Sequence, residues 1–508
     1  MRIVVRSADA RQARDAQARL AAAGIEAIAL PGFSRAAPDG EDIAVFCGPG
    51  AHVQTRNAAA RPLTALAALT SPPDLGLNGA PFGAIAIAAH PRLLATQFEE
   101  HVRAAIIEEE AARRRATLDE LNIAPPPPYP DHALKMLYVG APNAAFLALE
   151  RAFAAHGGAI RAAFSSFTGF DHLHDETFDA VVLNGADDLA TALSLCGALR
   201  RNTALCHVPT MVLIGAEDEA ASAAAYERGA SAVATSHDAC GTSLGWLFEA
   251  IRRERRRNSG ERALRALRDL MGDARTGLFL PATFKTHLAR LAGDHQHSGR
   301  PFSLVALRVT PAVGANEPSD AAWKRGFAEI GSLAARLMRE ADCGAALGRD
   351  LIALALPVST LAAAHRAVER IASVAECTAF ASGDNGAGPL VFERSVVELQ
   401  AGESGAALLA RALRGIAGGG TDAVRTARFY RGSGRLRAQA VWAGGLARGA
   451  RRCGACRDRG CAGGTLPSRR RLSHVRRHPG AAGAHRCAGP DRIAGPDLLR
   501  QDHSWQHR

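Results

Sequence analysis

Two short stretches in the middle of this 508-residue chain carry side chains whose types and spacing could do chemistry. The first is Arg339-Glu340-Ala341-Asp342, a guanidinium and a carboxylate three positions apart at the close of a run with helical periodicity. At that spacing both groups can project to one side of the chain. A guanidinium donates two hydrogen bonds to a base edge that offers two acceptors, as O6 and N7 of guanine do, and a carboxylate accepts from the N–H groups of the opposite edge. A third group, Arg370 in Val368-Glu369-Arg370-Ile371, stands on the next helical pattern. The first two groups could together address such a base edge. The alternative is a surface ion pair between Arg339 and Asp342, worth ~0–1 kcal/mol.

The second stretch is Gly348-Arg349-Asp350-Leu351-Ile352. A glycine lets backbone approach a phosphate, and acids beside it can hold divalent metal. Here Asp350 is the only acid of the pentad, so metal is expected at Asp350 only if that residue serves some residual reaction. The body cysteines Cys47, Cys196, Cys206, Cys240, Cys343 and Cys377 have no metal-ligand spacing.

The elements that must position these groups divide at composition breaks. Pro125-Pro126-Pro127-Pro128 cannot continue a helix or a central strand, and it separates two similar segments. Each begins with a short β-run, Arg2 to Val5 and Lys135 to Val139, then alternates helical and strand patterns and closes in a long charged helix. Such alternation implies a doubly wound parallel sheet with crossover helices on both faces. We place the first unit at 1–115, a Pro-rich linker at 116–133, the second unit at 134–253 and a linker helix at 254–272. The basic run Arg252-Arg253-Glu254-Arg255-Arg256-Arg257 is expected to be solvated helix surface. A third unit, 273–420, should contain a helix from about Pro281 to Ala292 and a strand from Phe302 to Val309. A helix from about Ala321 to Arg339, a hairpin from Ala345 to Pro357 and a helix from Leu361 to Val374 should follow.

The formal net charge of +11 would suggest a nucleic-acid or membrane partner, but its distribution removes that reading. Residues 431–508 hold 17 Arg, no Lys and four acids, which leaves about −2 for residues 1–430. No apolar run approaches the ~20 residues that span a bilayer. With scattered cysteines and no targeting segment, a cytoplasmic protein is expected, with no membrane contact and no nucleic-acid partner. The segment 421–508 has no Glu and no hydrophobic periodicity. Cys453-x-x-Cys456, Cys461 and Cys487 do not complete a zinc tetrahedron, and an Arg-rich nucleic-acid arm is the other reading of the same residues. A disordered tail or a shifted reading frame fits that palette better.

With the motifs in hand, the chain resembles the diguanylate cyclase (GGDEF) family in its receiver–receiver–GGDEF architecture, over roughly residues 1–415. The resemblance rests on Asp273-Ala274-Arg275-Thr276-Gly277-Leu278, on Arg339-x-x-Asp342 and on the pentad at Gly348. It implies two flavodoxin-like receiver folds and a GGDEF-type α/β domain with a mostly antiparallel sheet. It also implies that Arg339, Asp342 and Arg370 bind cyclic di-GMP. Where the family carries catalytic acids and glycines, this sequence has Arg308-Val309-Thr310, Arg349, Leu351 and Ala321-Ala322-Trp323-Lys324-Arg325, with Asn316 near the guanine-reading position. Receiver phospho-acceptor positions read Cys47 and Asn184, and the acid-pair positions read Arg6-Ser7 and Gly140-Ala141. His90 and Ser236 replace the receiver lysine, and Ile214 replaces its Thr or Ser.

The expectation is a non-enzymatic, cyclic di-GMP-binding effector or adaptor of bacterial two-component signalling that needs no cofactor. It would act on a protein partner that the sequence does not identify, and pairing of two copies through the receiver-like units is one assembly open to it. The alternative is a cyclase with residual activity, making cyclic di-GMP from two GTP with magnesium.

Overall fold

A computed structural model of the chain describes residues 1–33, 42–57, 63–73, 83–127, 132–315, 318–382, 390–417 and 424–425. Most of the segment beyond 417, with its four cysteines, and Asn316 lie outside the described residues. Residues 1–430 form one compact unit, within which three sheets can be followed.

The first sheet comprises β1 (Ile3–Ser7), β2 (Ile28–Pro31), β3 (Ile43–Cys47), β4 (Thr64–Leu69) and β5 (Gly83–Ala86), all parallel in the order β2-β1-β3-β4-β5. Between and after these strands come α1 (Ala10–Ala22), α2 (Ala51–Asn57) and the 30-residue α3 (Pro91–Glu120). The second sheet repeats this order with β6 (Lys135–Val139), β7 (Ala159–Ala163), β8 (Ala180–Asn184), β9 (Thr210–Ile214) and β10 (Ala232–Thr235). Its helices are α4 (Ala144–Ala155), α5 (Ser166–Asp175), α6 (Leu189–Arg201), α7 (Glu219–Glu227) and the 30-residue α8 (Thr242–Met271). Runs such as Ala180-Val181-Val182-Leu183 of β8 are apolar and buried because helices cover both faces of a parallel sheet, and the strand order is flavodoxin-like.

The third sheet is antiparallel. Described in chain order, α9 (Pro281–Ser298), β11 (Phe302–Pro311), α10 (Asp320–Leu337), β12 (Cys343–Ala346) and β13 (Leu351–Pro357) lead into α11 (Leu361–Glu376). Then come α12 (Ala379–Ser382), β14 (Leu390–Glu398), α13 (Gly405–Ala417) and the short β15 (Val424–Arg425), with strand order β12-β13-β11-β14-β15. One face packs on α10 and α11 through Trp323, Ile330, Val368 and Ile371. The other packs on α9 and α13 through Phe284, Leu288 and Leu408.

Local capping groups set several helix limits, and α9 runs six residues beyond its expected end at Ala292. Pro91 opens α3 with the His90 ring as cap, Thr360 caps α11, and Gly299 closes α9 at φ +68°. The proposed linkers differ from expectation. Helix α3 runs to Glu120, and residues 254–271 continue α8 rather than forming a separate element. The two 30-residue helices lie against each other and carry Ile107, Ala111, Leu118, Leu264, Leu267 and Met271 into the core of the third unit. Gly260 permits that approach, since a Cβ there would meet Ile107 Cγ2 at 2.6 Å.

The basic run on α8 is not solvated surface. Arg253 and Arg257 are buried, Arg253 pairs with Glu100 and Arg256 with Glu108 across the helix pair, and Arg255 pairs with Asp179. A neighbouring acidic helix supplies the partners that burial of a guanidinium requires. Among the described residues, no helix is long and apolar enough to cross a membrane.

Candidate functional site

Helix α10 stops at Leu337, so Arg339 lies beyond its end rather than within it, a correction to the expected helix limit. The next residues close a turn on themselves. Asp342 N donates to Arg339 O at 3.0 Å, and Arg339 N donates to Asp342 Oδ2 at 2.9 Å. The two side chains do not form the surface ion pair that was the alternative reading: the Asp342 carboxylate serves the backbone instead. Its other oxygen, Oδ1, is sealed from solvent with no hydrogen-bond partner. The Arg339 side chain is exposed, and no hydrogen bond or ion pair engages its guanidinium among the described residues. Arg370, on α11, donates to Leu337 O at 2.9 Å and so ties that helix to the base of the turn.

The turn is also held from outside its own unit. Arg114 of α3 donates from Nη2 to Glu340 O at 2.8 Å and to Asp342 O at 3.0 Å, and from Nη1 to Leu264 O at 3.2 Å. The Glu340 carboxylate meets Arg265 Nε at 2.9 Å and Arg268 Nη1 at 3.7 Å, both on α8. Nothing local in the sequence marks Arg114 for this task, because the residues it grips lie more than 220 positions away.

Burial pushes the Asp342 carboxyl up to about 6, against the lowering effect of the Arg339 N–H and of the Arg339 charge. A carboxyl raised in the folded state favours folding most while protonated. Its contribution is therefore full below the ordinary value near 3.8 and is lost as pH rises through about 6. Asp342→Asn is expected to raise the unfolding free energy at pH 7.5 by about 1–3 kcal/mol and to flatten the stability profile between pH 4 and 6. Urea denaturation across that range measures both; an unchanged midpoint at pH 7.5 would refute the assignment.

The loop Gly348–Ile352 is built differently. Register pairs Arg308 of β11 with Leu351 of β13 on one side and with Glu393 of β14 on the other. Its guanidinium stands 3.5 Å from Asp350 Oδ2 and 4.0 Å from Glu393 Oε2. Arg349 pairs with Asp320 at 2.5 Å, and Trp323 Nε1 donates to Arg349 O at 2.8 Å. Each of these carboxylates thus meets an arginine of the same chain. Among the described residues no group of three or more His, Cys, Asp or Glu is placed to hold a metal. Glu393 was missed by sequence reasoning, because only strand pairing brings it opposite Arg308.

The two strand ends singled out as acceptor positions, Asn184 and Cys47, carry no acid. Asn184 ends β8 and donates from Nδ2 to Ala141 O at 2.9 Å. Gly140 has φ +128°, and a Cβ there would meet Asn184 Cβ at 2.8 Å, so position 140 has no room for an acidic side chain. Cys47 ends β3, buried, with its thiol 3.5 Å from Arg6 O; burial pushes that thiol up. Asn184 cannot form an acyl phosphate, and a buried thiol held protonated is a poor nucleophile.

No model of a known protein family matches the chain, and no curated protein matches it. Solved structures do. The GGDEF domain of DgcB from Caulobacter crescentus in complex with c-di-GMP is similar over 30% of this chain and 87% of its own, at 16% identity and a TM-score of 0.25. A sensory box/GGDEF family protein from Caulobacter crescentus CB15 is similar over 29% of this chain and 96% of its own, at 18% identity and a TM-score of 0.25. The GGDEF domain of YfiN or TpbB from Pseudomonas aeruginosa is similar over 28% of this chain and 89% of its own, at 21% identity and a TM-score of 0.25.

Proposed function

We propose that this protein is a catalytically silent, diguanylate-cyclase-like signalling protein that binds cyclic di-GMP at Arg339, Asp342 and Arg370. It acts as an effector or adaptor, through its two phosphorylation-incompetent receiver-like units, on a protein partner. One contrast carries the reading. At the turn, an exposed guanidinium without a partner among the described residues stands beside a carboxylate with an unused oxygen; at the loop, arginines pair with the acids. A ligand that offers guanine acceptors and donors supplies what the turn lacks. For Asp342 this means exchanging a sealed, unsatisfied oxygen for a bonded one as the side chain swings toward the ligand. Arg308 stands in the strand that in the resembled family ends in acids, so the loop offers less negative oxygen for a metal-bound triphosphate.

Two measurements on the full chain test this. Calorimetric titration with cyclic di-GMP should show saturable binding at micromolar affinity or tighter, ~8 kcal/mol or more. Incubation with GTP and magnesium or manganese, followed by chromatography, should show no cyclic di-GMP above the enzyme-free blank. Accumulating product would replace the silent reading with that of a residual cyclase, and absence of binding heat would remove the ligand.

A further inference from the structure

Helix α5 and the residues leading into it expose three phenylalanines: Phe164 is 66% exposed, Phe167 83% and Phe170 36%. A single exposed apolar side chain is ordinary, but three neighbouring aromatics mark a contact surface. The helix could not turn them inward. Gly169 seats α5 on the sheet, since a Cβ there would meet Val139 Cγ2 at 3.1 Å, and Phe167, two positions away, lies on the opposite side. Beside the phenylalanines, Phe170 and Leu173 of α5 and Leu195 and Leu199 of α6 border a narrow cleft in which every residue but Ser166 is apolar.

The charge around this surface has one sign. From Phe164 to Leu199 the chain holds six acids and neither Lys nor Arg, in a protein whose formal net charge is +11. Glu176 pairs with Lys135 and Arg161, and Asp179 pairs with Arg255. The other four, Asp171 and Asp175 on α5 and Asp187 and Asp188 before α6, are exposed and have no ion-pair partner among the described residues. Asp171 and Asp175 stand toward the negative end of the α5 dipole, where the helix itself disfavours a carboxylate. Both α5 and α6 follow parallel strands and so begin at the same edge of the sheet, which puts acids toward both ends of the aromatic patch.

On the reading that the receiver-like units act on a protein partner, we propose that the α5–α6 face of the second unit docks a helical segment of that partner whose apolar stripe is flanked by Lys or Arg. The stripe covers the three phenylalanines and the basic flanks meet the four free carboxylates, while an arginine over a phenylalanine ring adds a cation–π contact. A second copy of this chain is a poorer occupant, because an isologous pair on this face brings like-charged rims together. Anionic lipid and nucleic acid are repelled by the same carboxylates.

Binding of a synthetic amphipathic helix, a leucine stripe flanked by arginines, to the full chain tests the docking face; the same peptide with glutamate for arginine is the control. The arginine peptide should bind saturably and the glutamate peptide about tenfold or more weakly, with the difference shrinking as salt is raised. Phe167→Ser should weaken binding of the arginine peptide about tenfold and leave the fold intact, since that side chain is mostly in solvent. Asp171→Asn combined with Asp175→Asn should weaken it severalfold. Hydrogen exchange on the unsubstituted protein needs no variant: the arginine peptide should slow exchange at residues 164–175. Equal binding of the two peptides, undiminished binding to Phe167→Ser, or a concentration-dependent dimer of the free protein that Phe167→Ser dissolves overturns the proposal, the last in favour of a second copy. Titration of cyclic di-GMP into the same samples separates the two readings. Ligand binding without peptide binding removes the docking face alone, and absence of both removes both.

Discussion

Replacing Glu110 with alanine is expected to lower the unfolding free energy by about 3–5 kcal/mol, the largest effect of any single substitution considered for this protein. Glu110 is fully buried on α3, and its carboxylate is shared by three partners. Oε1 accepts from Arg114 Nε at 2.8 Å and lies 3.0 Å from His287 Nε2, while Oε2 accepts from Arg113 Nη1 at 3.0 Å. Beyond them, His287 Nδ1 reaches Thr117 Oγ1 at 3.0 Å and Arg113 Nε reaches Asp294 at 2.7 Å. The alanine variant leaves the buried Arg114 guanidinium with no carboxylate partner among the described residues, while Arg113 keeps Glu109 and Asp294; an uncompensated buried charge costs more than the lost attraction alone.

The same carboxyl gives the effect a pH signature. Burial alone would push it up, but His287, Arg114 and Arg113 outweigh burial and hold it at about 2 against an ordinary 4.5. A carboxyl depressed in the folded state stabilises fully above its ordinary value and loses that contribution as pH falls from about 4.5 toward 2. The loss is about 3 kcal/mol, on the order of 1.4 per pH unit. Urea midpoints for the wild type and Glu110→Ala should therefore converge as pH falls through that window. A variant as stable as wild type at pH 7 would show that the network contributes nothing. Because Arg114 also holds the carbonyls of Glu340 and Asp342, the variant should weaken ligand binding together with stability.

The second large effect separates binding from folding. Arg339→Ala should weaken cyclic di-GMP binding at least 100-fold, about 3 kcal/mol, the scale of a bidentate charge-assisted pair. Stability should stay within ~0.5 kcal/mol, because an exposed side chain with no partner among the described residues takes little from the fold when it leaves. Arg349→Ala is the control. It breaks the pair with Asp320 at the loop and should leave binding unchanged. Equal affinity in Arg339→Ala and wild type, in calorimetry on folded samples, would locate the ligand elsewhere or nowhere.

Asp342→Asn belongs with these as a variant expected to gain stability while losing ligand. A buried carboxylate with an unused oxygen is retained at a cost in folding free energy, a common balance at binding sites.

What the sequence determined by itself was local. Apolar runs and helical periods marked the first strand of each parallel unit, the alternation that follows it and the main helices and strands of the third unit, because such patterns act within a few residues. The residue types at Arg339, Asp342, Arg370 and Gly348–Ile352 were legible for the same reason. Their partners were not. That Arg308 faces Glu393 depends on strand register across 85 positions of sequence, and that Arg253 is buried depends on α3 lying alongside α8. That Asp342 turns to the Arg339 backbone follows from α10 ending two residues earlier than its apolar period suggested. The turn's grip by Arg114 and the network around Glu110 both join residues far apart in the chain. Side-chain type and spacing carry no signal for such pairings; close packing of the two long helices against the third unit decides them.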